Sequence, residues 1–226
     1  MRTLLHMPLD PQSRKIRLIL AEKSLATRLV ETPPWTAHPD LLAHNPAGTI
    51  PVLIDDAPTG DEVAVTPASA ISEYLEEAYR EPLLMPGTSA GRAEVRRLNA
   101  WFDDKFERDV NARLLRRRVD ANLQGRRAED DDFHREAMEA LSWHLDYLSY
   151  LLEQRSWLAG EKMSVADLTA AAHLSANDYI GVMPWRDVPH LQEWYRRLKS
   201  RPSMRPLLTD RIEGMPPPPH YSNPDF

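Results

Sequence analysis

The chain has 226 residues and no cysteine. Disulfides, thiolate metal ligands and a cysteine nucleophile are therefore excluded, and a reducing cytoplasm is the simple expectation. Glycine is scarce, at 8 residues. Neither a glycine-rich phosphate loop nor a Gly-x-Ser-x-Gly elbow is present. No apolar run approaches the roughly 20 residues that cross a bilayer, so no membrane insertion is expected. The opening Met1-Arg2-Thr3-Leu4-Leu5-His6 is too short in apolar residues to read as a secretory signal. Positive charge is not in excess: 28 basic against 34 acidic residues leave −6 with neutral histidines. That argues against nucleic acid as a partner, which selects for a basic face. The eight histidines include no His-Glu-x-x-His pair, and no metal is expected. His38 and His44 sit six apart on what reads as a loop with no fixed face.

What is present suits a globular protein. Apolar residues make up 42% and charged residues 27%, and a chain of this length buries roughly 70% of its unfolded surface. Twenty prolines punctuate the sequence. Up to about Tyr79, short β-like runs alternate with helical patterns: Thr3–His6, Leu29–Thr32, Pro51–Ile54 and Glu62–Val65 read as strands. The stretch Gln12–Lys23 reads as a helix, with Ile16, Ile19 and Leu20 on one face. A further helix runs through Ile71, Tyr74, Leu75 and Ala78, with Thr66 as its N-cap and Pro67 at its first position. The order β-α-β then β-β-α is that of a thioredoxin-like unit, assigned to residues 1–80.

Residues 81–91, with Pro82, Pro86 and Gly87, read as a linker. Residues 92–209 read as all-helical. Val95, Leu98, Trp101 or Phe102, Phe106 and Val110 keep helical spacing, as do Met138, Leu141, Leu145, Leu148 and Leu152. Ser164 and Asp167 form a capping-box pattern, and a last helix covers about Leu191–Lys199. The acidic run Glu129–Asp132 lacks a calcium loop's glycine and reads as a solvated helix start. The fold class is thus α/β plus all-α: a thioredoxin-like N-terminal domain followed by a helical bundle. Residues 210–226 form a separate tail, where Pro216–Pro219 favour an extended polyproline segment. Tyr221 and Phe226 give that tail aromatic anchors, either for its own body or for a partner.

Four motifs together resemble the glutathione transferase superfamily. They are Asp10-Pro11-Gln12-Ser13-Arg14-Lys15-Ile16-Arg17-Leu18, Asn45-Pro46-Ala47-Gly48-Thr49-Ile50-Pro51-Val52-Leu53, Ala70-Ile71-Ser72-Glu73-Tyr74-Leu75 and Ser164-Val165-Ala166-Asp167. The resemblance implies a glutathione site that has lost its groups. The residue before Pro11, commonly a hydroxyl donor to the thiolate, is Asp10, whose carboxylate would repel the sulfur anion. Ser13, one turn on, is poorly placed to replace it. The Glu-Ser pair that holds the γ-glutamyl end falls on Pro67 and Ala68, and Ser69 comes one place late. The backbone of Ile50 beside Pro51 remains. Losing two charge-assisted bonds, at roughly 1.5–3 kcal/mol each, costs orders of magnitude in affinity, so weak or absent glutathione binding and no catalytic residue are expected.

The degraded motifs and the Pro-rich tail further resemble a division-associated branch of the family that binds the tubulin-like protein FtsZ. This resemblance implies a cytoplasmic homodimer at midcell, without cofactor, that regulates filament curvature, bundling and constriction. It also implies that other division proteins are reached through the tail, at Tyr221, Asp225 and Phe226. The alternative is a glutathione-dependent transferase of detoxification. Two readings of Trp35 stand: a hot spot on its loop, or satellite core beneath it. Arg113, Arg116, Arg117 and Arg118 are read either as cations suited to a helix C-terminus or as a docking surface for acidic FtsZ.

Overall fold

The computed structural model describes residues 2–36, 38–56, 60–125 and 132–223. Four strands form one sheet: β1 (Arg2–His6), β2 (Thr27–Glu31), β3 (Val52–Asp56) and β4 (Glu62–Val65), in the order β2-β1-β3-β4. β1 runs parallel to β2 and antiparallel to β3, and β3 runs antiparallel to β4. The parallel pair requires a crossover, which α1 (Pro11–Glu22) provides. Successive side chains point to opposite faces. Leu4, paired with Leu53, joins the main core, while Leu5, paired with Val52, packs with Leu41 on the other face.

Leu41 belongs to α2 (Pro39–His44), where a loop was expected. Six residues are too few to show a helical period. Pro39 at the first position pre-sets the turn, and Leu41 covers an otherwise bare apolar sheet face. Another correction concerns α3 (Ala68–Ala78): Pro67, not Thr66, occupies its N-cap, and the Thr66 hydroxyl donates to the carbonyl of Pro51. The peptide bonds preceding Pro51, Pro67 and Pro82 are cis.

The helical half opens at α4 (Ser89–Ala100), inside the stretch read as linker, because the Thr88 hydroxyl accepts the Gly91 N–H and caps it. The helix continues through a wider π-helical segment, Trp101–Arg116, into α5 (Arg117–Leu123). Then come α6 (Asp132–Gln154), α7 (Val165–Tyr179), α8 (Pro189–Lys199) and the short α9 (Arg205–Leu208). The acidic run from Glu129 to Asp131 lies outside the described residues. Val95, Leu98, Phe102, Phe106, Val110, Leu141, Leu145 and Leu148 are fully buried, as their spacing implied. Ser164 caps α7 while Asp167 accepts the Ser164 N–H, completing the capping box.

α7 is buried along its whole length and packs on α1, which joins the two halves. α1 therefore has no solvent face of the kind its apolar periodicity suggested. Arg14 and Lys15 are fully buried, and burying a charge is tolerable only with a partner. Lys15 meets Asp103 at 2.7 Å. Arg14 donates to the Ser175 hydroxyl at 2.7 Å, to Asp210 at 3.0 Å and to the Tyr221 hydroxyl at 2.9 Å. Arg17 also binds Asp210, at 2.8 Å.

The tail is thus part of the body. Tyr179 accepts the Ile212 N–H and donates to the Met215 carbonyl, both at 2.8 Å. Tyr221 sits in a 3-10 turn, Pro219–Ser222, with no exposed surface, edge-on to Tyr179. The expectation that Tyr221 contacts a partner is corrected accordingly: it closes the protein's own core. Asp225 and Phe226 lie outside the described residues.

Candidate functional site

The β1–α1 turn places Asp10 at the mouth of the junction between the two halves. Its carboxylate caps α1, accepting the Ser13 N–H at 2.7 Å, and its other oxygen meets Arg116 of the π-helical segment at 3.2 Å. Arg116 also binds Glu107 through its Nε. Burial works against the Arg116 charge, but Asp10 and Glu107 outweigh it and hold the guanidinium protonated far above any working pH. Two expectations change here. Asp10 is not a bare acid facing a ligand sulfur, because Arg116 balances it. Arg116 is not a free docking cation, because two carboxylates already claim it.

Ser13 is fully buried, and its hydroxyl accepts the Met7 N–H, so it turns away from the cleft. Pro67 at the N-cap of α3 makes no side-chain bond there. Ala68 is buried and offers a methyl group; Ser69 is exposed. Carboxylate and hydroxyl groups are accordingly missing at the first two of these positions, and Ile50 stands beside the cis Pro51.

A cavity of about 390 Å³ collects several of these residues: Asp10, Trp35, Ile50, Pro67 and Arg116. Its remaining wall is largely apolar, including Leu9, Leu115, Val119 and Ile212. Trp35 is 41% exposed at this cavity, so it is not packed beneath its loop. Asp120 and Gln12 line the same space and were not singled out from sequence; an acid one helical turn beyond Arg116 was the available signal. A second cavity of about 600 Å³ lies between α3 and α4 and shares Gln12 and Pro67 with the first. It takes in Ser69, Glu73, Arg96 and Asp103.

The other arginines are not at a helix end, since the helix runs on to Leu123. Arg113 pairs with Glu136 at 3.0 Å while remaining partly exposed. Arg117 is exposed and lies over the Phe133 ring, and Arg118 donates to the Ile180 carbonyl. The structure therefore gathers Asp10, Trp35, Ile50, Pro67 and Arg116 in one cleft. Arg113 and Arg117 stand apart from that cavity, and Tyr221 is in the core.

Comparison with known proteins matches residues 11–78 to the glutathione S-transferase N-terminal domain and residues 122–202 to the glutathione S-transferase C-terminal domain. FtsZ-localized protein A of Caulobacter vibrioides is 44% identical over 225 residues, covering 100% of this chain and 98% of that protein. A solved structure of FzlA from C. crescentus superposes with a TM-score of 0.95 at 44% identity, covering 100% of this chain and 99% of the other. A solved glutathione S-transferase from Rhodospirillum rubrum F11 also reaches 0.95, at 46% identity and with 100% of both chains covered.

Proposed function

The chain belongs to the glutathione S-transferase family, and from that premise we propose that it is a non-catalytic member that binds FtsZ filaments and regulates their curvature, bundling and constriction at the division site. The observation that carries this reading is the 44% identity, end to end, with a protein named for its localisation with FtsZ. The cleft supports it by what it lacks. Asp10 is already committed to capping α1 and to Arg116, and Pro67 and Ala68 have no group to hold an amino acid end. Trp35, Arg113 and Arg117 are the exposed candidates for the FtsZ contact, with Asp225 and Phe226 reaching further division proteins.

The protein acts as a homodimer in this reading. Trp143 and Tyr150, one helical face of α6, are each about half exposed, and Trp143 stacks on Trp101 with ring centroids 5.5 Å apart. Exposed large aromatics of this kind are enriched in protein contacts, and a second copy is their occupant in this reading.

The test is co-sedimentation with polymerised FtsZ. Wild type pellets with the filaments. Trp35→Ala, and Arg113→Glu combined with Arg117→Glu, lower the pelleted fraction several-fold while circular dichroism is unchanged. Titration calorimetry with glutathione gives no heat of binding. Unchanged pelleting in both variants removes those contacts, and absence of pelleting by wild type removes the function. A second reading, a glutathione-dependent transferase, is favoured by the 46% identity to the Rhodospirillum rubrum protein. It requires saturable glutathione binding and turnover of a chlorinated aromatic acceptor.

A further inference from the structure

β2 is a terminal strand of the sheet, with β1 on its inner side. The Thr32 N–H just beyond it donates to the His6 carbonyl at 2.9 Å. Backbone groups along a strand alternate in direction, so Arg28 and Val30 face β1, while Thr27, Leu29 and Glu31 turn their N–H and C=O to the open edge. β2 holds neither proline nor glycine, the residues that commonly spoil an edge for pairing. Leu29 pairs with Leu4 and shares its face of the sheet, where the main core lies. Leu4 is fully buried, but Leu29 is 44% exposed, because among the described residues the core stops there. A cavity of about 140 Å³ lies over this edge, walled by Leu20, Leu25, Leu29 and, from α9, Leu207. Its polar lining is already engaged. Both oxygens of Asp210 hold Arg17, at 2.8 and 2.9 Å, Thr27 donates to the Leu25 carbonyl, and Ser203 donates to Glu22. An apolar cavity of roughly 150 Å³ takes a benzene ring, so this one has room for a single leucine-sized side chain and no free charge to draw a polar one.

We propose that β2 receives an extended peptide of a partner protein as a fifth, antiparallel strand, with an aliphatic side chain of that peptide seated in this cavity. Main-chain bonds to an open edge supply affinity, and a pocket for an alternate side chain supplies selectivity. Residues directly opposite in an antiparallel pair share a face. The peptide residue opposite Leu29 therefore points over the α1 face and into the cavity, and it exchanges both backbone bonds with Leu29. Charge sets the rest of the partner's chemistry. Arg28 and Glu31 are exposed, and neither has an ion-pair partner among the described residues. An acidic residue belongs opposite Arg28 and a basic one opposite Glu31, which reads along the peptide as basic, any residue, aliphatic, acidic. This edge shares no lining residue with the Trp35 cavity, so the inference goes beyond FtsZ binding at that cleft and stands on a different measurement.

The probe is a fluorescein-labelled hexapeptide, Thr-Lys-Val-Leu-Glu-Thr, titrated against the full chain by fluorescence anisotropy. It is expected to bind saturably. Alanine in place of its leucine should lower affinity about tenfold, through lost burial in the cavity. N-methylation of the leucine amide, which faces β2, should cost about tenfold, whereas N-methylation of the valine amide, which faces away, should leave most of the affinity. Exchanging the peptide's lysine and glutamate should weaken binding about fivefold, and the double variant Arg28→Glu, Glu31→Arg should restore it. Both substituted residues are exposed, so the fold is not at stake. Trp35→Ala should leave peptide binding unchanged, and FtsZ pelleting of the same wild-type sample reports separately on the other reading. Failure of the hexapeptide to bind wild type overturns the proposal. So does equal loss in the two methylated peptides, or a charge preference that the double variant does not reverse.

Discussion

Burial holds His144 and His6 neutral. Each is pushed down to about 4 from the ordinary 6.5, chiefly by desolvation. For His6, Arg17 adds to the effect; for His144, a hydrogen bond to Asp109 opposes it. Because the folded value lies below the unfolded one, the unfolded chain takes up protons between pH 6.5 and about 4 that the folded chain does not. Stability is therefore full above the upper end of that window and falls as pH drops through it. The urea midpoint should be lower at about pH 5 than at about pH 7, and His144→Gln should flatten that dependence. An identical pH profile in the variant would exclude His144 as a source. At this scale sequence reading had a sharp limit. Asp10 was visible as an acid where the resemblance implies a hydroxyl donor, but its counter-ion was not. Arg116 lies 106 residues away along the chain, and no local pattern links the two.

Among the elements, the long periodic segments were readable and the short ones were not. α6 repeats its apolar residues from Met138 to Leu152, about four turns, so its buried face was readable, whereas α2 has one buried residue, Leu41. The same helix shows what periodicity leaves open. Trp143 and Tyr150 lie off the buried stripe, and only the fold places Trp143 on Trp101 with Lys105 5.1 Å from its ring. If this ridge pairs two copies, Trp143→Glu introduces a charge into an apolar contact and should convert the dimer to monomer at micromolar concentration, read by light scattering. A variant that remains dimeric would place the contact elsewhere. α1 makes the complementary point: its three buried cations, Arg14, Lys15 and Arg17, look like a solvent face in sequence, and it is Asp103 and Asp210 that make their burial tolerable.

The two halves are held as one molecule by α1 against α7 and by ion pairs that cross between them. Glu22 binds Arg201 at 2.6 Å, and its pKa lies below the usual range because Arg201 and Ser203 together outweigh burial. The tail completes the closure through Tyr221 and Arg14. Removing residues 211–226 would leave the Tyr179 hydroxyl and one Arg14 donor without these partners and open a ring-sized void. The truncated chain should lose about 3–5 kcal/mol, measured by urea unfolding. Unchanged stability would mean that the tail is not docked in solution.

The amino-acid sequence by itself determined the two-part architecture, because apolar periodicity, proline punctuation and capping residues are local signals that each element carries within itself. It also put Asp10, Pro67 and Ala68 at the positions where the resemblance implies glutathione-holding groups, since that depends on residue identity alone. The tertiary structure decided which charges face one another. Asp10 against Arg116, Lys15 against Asp103, and Arg14 against both Asp210 and the tail tyrosine are contacts between distant parts of the chain. Their energies depend on distance and burial, which only the folded packing supplies.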